Sequence, residues 1–135
     1  MPKLGLIMNV DSWLGDDARL SDQHEKRLLK DAEKALVNEG FDVSAVDVFD
    51  IIQKKSSGRY IQLTVTESEE ESKSGDKVNY RVPVTMVQVW IEDPSLPHSH
   101  LEKLVVHHYG KYSIKLASAM LNDLLVLVCR RLKQL

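Results

Sequence analysis

The chain has 135 residues, 18 Lys and Arg against 20 Asp and Glu, a net charge of -2 and a hydrophobic share of 43%. That length suits one domain over residues 1–135, able to bury about two-thirds of the surface exposed on unfolding without a disulfide or structural metal. The balanced charge argues against a whole-protein field for nucleic acid. A lone Cys129 rules out an internal bridge, and the longest apolar run, residues 124–129, is too short to span a bilayer.

The first residues, Met1-Pro2-Lys3-Leu4-Gly5, show no apolar signal region followed by a cleavage site, so the expected compartment is the cytoplasm. Residues 3–10 form a short apolar run that reads as a first strand. Trp13 and Leu14 follow as a small plug. Residues 21–39 read as a helix. Ser21 or Asp22 can cap it, and Leu28, Leu29, Ala32, Ala35 and Leu36 make one apolar stripe. Gly40 stands where a helix-ending glycine belongs. Lys26, Arg27, Lys30 and Lys34 share the other side with Glu33. Interleaved acids favour a solvated face there over an anion-binding one.

Residues 41–52 read as a second strand, with a slip in alternation at Ala45-Val46 that suggests a bulge. Residues 53–58 form a turn. Its Ser56-Ser57-Gly58 with Lys54, Lys55 and Arg59 makes only a weak anion nest. Residues 60–66 alternate cleanly, with Ile61, Leu63 and Val65 on one side. Residues 67–77, acidic and polar, read as a mobile connection; Glu67, Glu69, Glu70 and Glu71 lack a calcium-loop pattern. Residues 78–91 form the longest strand. Pro83 within it cannot donate to a ladder, which places it at an edge or bulge.

Four of the five histidines, His98, His100, His107 and His108, lie within residues 98–108. Leu101, Leu104, Val105 and His108 fall at helical spacing, so residues 98–109 read as a helix ended by Gly110. On that helix His100 and His107 stand about 10 Å apart along the axis. They cannot share one ion, because metal ligands must converge within about 2.3 Å of it. The cluster therefore reads as helix residues that carry imidazoles, and no structural zinc is expected. Neither a nucleophile elbow nor a phosphate-binding loop is present in the sequence.

The last helix, residues 113–135, carries a broad apolar stripe of Ile114, Ala117, Met120, Leu121, Leu124, Leu127, Val128 and Leu132. Leu125 and Val126 lie in or beside its narrow polar stripe. Such a helix is covered either by its own domain or by a partner. The sequence nominates Leu121, Leu125 and Val126 as an interaction surface, with a second copy as the partner.

The expectation is a single α+β domain in the order β-α-β-β-β-α-α. Its three- to four-stranded, mainly antiparallel sheet is packed by an N-terminal helix and two C-terminal helices. The expected function is a non-enzymatic protein–protein interaction module acting as a homodimer. No catalytic residues, metal or cofactor are expected, nor a nucleic-acid or membrane partner. The alternative is a small enzyme or small-molecule binder with a pocket beside the segment bearing His100, His107 and His108.

Overall fold

The computed structural model describes residues 2–46, 58–75, 77–93 and 100–134. Strand β1 (Lys3–Ser12) leads through a 3-10 turn (Gly15–Asp17) into helix α1 (Asp22–Asn38). Short strand β2 (Asp42–Ala45) follows. Then come β3 (Tyr60–Ser74), β4 (Lys77–Glu92), β5 (His100–Tyr109) and helix α2 (Ile114–Gln134). The sheet is five-stranded and mixed, in the order β2-β1-β3-β4-β5. β1 runs parallel to both β2 and β3, while β3, β4 and β5 are antiparallel neighbours. The α+β class and the single domain of the sequence reading hold.

Local chemistry accounts for the boundaries of α1. The Ser21 hydroxyl accepts from the His24 amide, supplying one of the free donors of the first turn. At the other end Gly40 takes φ 95°, a left-handed conformation open to glycine. Its amide bonds Val37 O, and the Phe41 amide bonds Leu36 O. That pair of bonds is the Schellman closure, and the buried Phe41 and Leu36 side chains lie together in the core. The short link then returns the chain as β2, parallel to β1, as a helical crossover permits.

Strand alternation sorts the sheet into two faces. Leu4 and Leu6 of β1, Ile61, Leu63 and Val65 of β3, and Val87, Val89 and Ile91 of β4 are buried beneath the helices. From α1 come Leu28, Ala32 and Leu36, and from α2 Ala117, Met120, Leu121, Leu124, Leu125, Val128 and Leu132. Both helices belong to this one core. The opposite face bears Gln62, Thr64, Thr66, Met86, Gln88, Trp90, Lys103, Val105 and His107, which sit in register across β3, β4 and β5. Lys103 Nζ lies 5.5 Å from the Trp90 ring centroid on that face. No described helix is long and apolar enough to cross a membrane.

The described sheet has five strands and is mixed, where the sequence predicts three to four mainly antiparallel strands, and one C-terminal helix stands where it predicts two; two segments account for most of the difference. The backbone over residues 100–109 is strand β5, paired antiparallel with β4 from Glu92↔His100 to Val84↔Tyr109. Leu101, Leu104 and Val105 fit helical spacing, but on the strand Leu104 faces the helices and Val105 the opposite side, and partner strand β4 decides for the sheet. His98 falls outside the described residues. Residues 67–77 are likewise not a loop. β3 continues to Ser74 and turns at Gly75, φ 65°, into β4 at Lys77. Acidic side chains do not prevent a strand whose backbone is paired along its length.

The β3–β4 hairpin outruns its neighbours. β1 stops at Ser12↔Glu67 and β5 at Val84↔Tyr109. Residues 69–74 and 77–83 therefore continue as a two-stranded ribbon, about 20 Å long at 3.3 Å per residue. Pro83 sits where β5 ends, and its carbonyl accepts from the Gly110 amide at 2.8 Å. The donor that proline lacks would point the same way, beyond the last β5 pair, so the ladder to β3 is intact. This is the edge position expected for Pro83.

Candidate interaction surfaces

Among the described residues, the histidines of this segment do not converge. On a strand, neighbouring side chains point to opposite faces, so His107 and His108 are separated by the sheet. His107, opposite Met86, lines a shallow hollow of about 210 Å³ with Trp13, Thr66, Ser68, Glu70, Val84 and Met86. His108, opposite Thr85, lies on the helix side and leans over Gly110, where a Cβ would meet Nε2 at 2.7 Å. His100 opens β5. Among the described residues no three His, Cys, Asp or Glu side chains group to hold a metal.

The buried polar site lies elsewhere, and the sequence reading missed it. Glu67 is 2% exposed. Its carboxylate accepts from the Arg19 amide at 3.0 and 3.1 Å, the Leu20 amide at 3.0 Å and the Ser12 hydroxyl at 3.1 Å. The Glu67 carbonyl accepts from the Trp13 amide at 3.0 Å. One residue thus pins both ends of the 13–20 segment. The signal was present: Ile61, Leu63, Val65 and Glu67 share one parity, and parity aims Glu67 inward. Nearby, His24 Nδ1 and the Tyr112 hydroxyl stand 3.1 Å apart, with ring centroids at 5.6 Å. Burial, then the Glu67 charge, push the Tyr112 phenol up to about 12. These groups are satisfied by one another or by backbone, which suits an anchor more than a reaction centre.

Of the nominated α2 residues, Leu121 and Leu125 are buried within the chain, at 0% and 1% exposure, and Val126 is 47% exposed. Leu127, placed in the apolar stripe by sequence, is 49% exposed. The buried arc is rotated toward α1, along Leu121, Leu125, Val128, Cys129 and Leu132. α1 covers Leu125, which the periodicity of α2 alone could not show. Burial pushes the Cys129 thiol up, and Glu39 adds to the shift. A groove of about 450 Å³ runs between the helices, its floor Ala35, Leu125, Val126 and Cys129, its rim Asp31, Lys34, Asn38 and Asn122.

On the helix-free face and its hairpin end, four large apolar or aromatic side chains are exposed among the described residues. They are Trp13 at 79%, Tyr80 at 61%, Tyr109 at 61% and Val105 at 39%. Tyr80, Val82, Val84 and Met86 share one parity on β4, and Val84 and Met86 line the hollow beneath Trp13.

No family model matches the chain, and no curated protein matches its sequence. Solved structures share its fold. A protein described as a neuraminyllactose-binding hemagglutinin homolog from Helicobacter pylori is 12% identical, with a TM-score of 0.64 over 97% of this chain and 82% of that one. A PelC dodecamer from Paraburkholderia phytofirmans is also 12% identical, with a TM-score of 0.53 over 91% of this chain and 84% of that one. At such identity the likeness concerns the fold alone.

Proposed function

We propose that this chain is a non-enzymatic binding module that assembles with copies of itself. The observation that carries the reading is the set Trp13, Tyr80, Val105 and Tyr109, exposed on the sheet face and hairpin end. Several large exposed apolar side chains on one side of the sheet cost solvation free energy in water and suit an association site. The separation of His107 from His108 and the backbone-satisfied Glu67 further favour binding over catalysis. One fold neighbour is a dodecamer, so the architecture is compatible with assembly.

Sedimentation velocity across a hundredfold range of concentration tests it. The expected result is a species larger than the 15.4 kDa monomer, shifted toward monomer by Tyr80→Ser with Tyr109→Ser. A wild-type protein that stays monomeric throughout overturns the proposal. The hollow under Trp13, lined by His107, Glu70, Ser68 and Thr66, supports a second reading as a small-ligand site. Its volume of about 210 Å³ is below the roughly 300–1,000 Å³ of ordinary ligand pockets, which favours the first reading.

A further inference from the structure

The exposed charges are unevenly distributed between the two ends of the molecule. At the hairpin end Glu69, Glu70 and Glu71 are exposed on the projecting ribbon, and Asp16 and Asp17 are exposed on the turn beside Trp13. Arg81, within 3.8 Å of Glu69, and Arg19 are exposed there too, and Lys73 and Lys77 belong to the same two strands. On the outer side of the helix layer Lys26, Arg27, Lys30, Lys34, Lys115 and Arg130 are exposed. Described acids are fewer at that surface than bases: Asp31 accepts from Ser118 at 2.9 Å and Glu39 meets Lys133 at 3.2 Å, while Asp22 and Asp123 are exposed among the bases. Glu25 and Glu33 are only partly exposed. Each region also carries apolar surface: Tyr80 and Trp13 at the acidic end, and Val37 and Val126, 50% and 47% exposed, on the basic layer.

We infer that the acidic, aromatic hairpin end of one copy docks on the basic outer surface of α1 and α2 in the next copy. The inference rests on the self-association proposed above and names the two faces that meet. Like faces brought together by a two-fold axis would set Glu69, Glu70 and Glu71 against their own kind, or Lys26, Lys30 and Lys34 against theirs. Unlike faces bring opposite signs together, which steers encounter and fixes orientation. The ribbon has an unpaired edge on each side among the described residues, and a lone two-stranded ribbon is marginal in water. Seating it on a neighbour stabilises it. The contact joins different patches of two copies, so it is head-to-tail and closes into a ring or continues as a filament.

Charge reversal tests the pairing. One variant carries Glu69→Lys, Glu70→Lys and Glu71→Lys; the other carries Lys26→Glu, Lys30→Glu and Lys34→Glu. Each alone now opposes like charges in every contact and is expected to sediment as monomer. An equimolar mixture presents opposite charges at both kinds of contact and is expected to recover the wild-type size. Circular dichroism checks that each variant is folded. Should either reversal unfold the chain, a salt titration of the wild type replaces it, with assembly expected to weaken as screening rises. A wild-type oligomer indifferent to both reversals, or to salt, overturns this pairing and leaves self-association standing. Failure of the mixture to recover the wild-type size also overturns it. A wild-type monomer overturns the self-association reading and this inference together.

Discussion

The Glu67 carboxylate accepts the Leu20 backbone amide at 3.0 Å across 47 residues of sequence. It ties the end of the turn that carries Trp13 to the central strand of the sheet. Among the described residues this carboxylate has no cationic partner in contact; backbone amides and the Ser12 hydroxyl supply its donors. Removing it strands two buried or half-buried N–H groups, each costing about 1–3 kcal/mol. Glu67→Ala is expected to lower stability by about 2–4 kcal/mol in urea titration. It should also raise hydrogen exchange at Leu20 well before that of the Val65 and Val87 amides. Equal loss of protection at all three would show that Glu67 supports the whole fold and does not act as a local anchor.

Gly5 marks a second close approach. A Cβ there would stand 2.6 Å from Val46 Cγ2 and 3.0 Å from Tyr60 Cβ. The backbone permits alanine, so the obstacle is space where β1 passes between the Val46 segment and β3. Gly5→Ala is expected to cost about 1–3 kcal/mol, the usual range for overpacking. Adding Val46→Ala should recover part of that loss. If the double variant is no more stable than Gly5→Ala, the clash lies with Tyr60.

The two buried tyrosines give a pH prediction. Burial, with the hydrogen bond to Glu92 and its charge, pushes Tyr60 from 10.0 up to about 12, and burial with Glu67 does the same for Tyr112. A phenol with a raised folded-state pKa favours the fold while the unfolded phenol is still neutral. The advantage is fully present below about pH 10. It is lost as pH rises from about 10 to about 12, where the unfolded chain ionises first. Thermal melts over that interval should show the midpoint falling. Tyr60→Phe and Tyr112→Phe should each flatten the fall. An unchanged slope in both variants would mean that neither phenol carries the effect.

The strands and α1 were legible because local signals agreed: Ile61, Leu63 and Val65 alternate, and Ser21 and Gly40 bracket an apolar stripe. β5 was not, because Leu101, Leu104, Val105 and His108 fit a helical stripe better than the one-sided alternation of a strand. Only the partner β4 distinguishes the two, and that pairing is long-range. The ribbon was missed for a related reason. Glu69, Glu70 and Glu71 are poor strand residues, and what holds them extended is strand pairing opposite Pro83, Val82 and Arg81. The exposed aromatics were visible as residues but not as a set. Trp13, Tyr80 and the β5 pair Val105 and Tyr109 come from three places in sequence and reach one side only through the order of the sheet.

Leu125 and Val126 are adjacent, equally apolar and opposite in fate: one is 1% exposed against α1, the other 47%. Substitution should separate them. Leu125→Ala leaves a cavity in the α1–α2 contact, where it lies with Leu121 and Cys129, and is expected to cost about 2–5 kcal/mol. Val126→Lys puts a charge where solvent already reaches, and in the isolated chain should change stability by about 0.5 kcal/mol or less. Urea titration of dilute protein measures both. The same Val126→Lys variant then speaks to assembly. It adds positive charge to a layer already bearing Lys30, Lys34 and Arg130, but it also removes apolar surface at the center of the groove. If the groove receives an aromatic from a neighbouring copy, loss of that contact outweighs the added charge and the oligomer weakens. If charge alone holds the copies together, the oligomer tightens. Sedimentation of Val126→Lys against wild type at equal concentration distinguishes the two, and the expected outcome is weakening, because exposed ion pairs are each worth at most about 1 kcal/mol whereas burying a valine is worth about 1.5 kcal/mol or more.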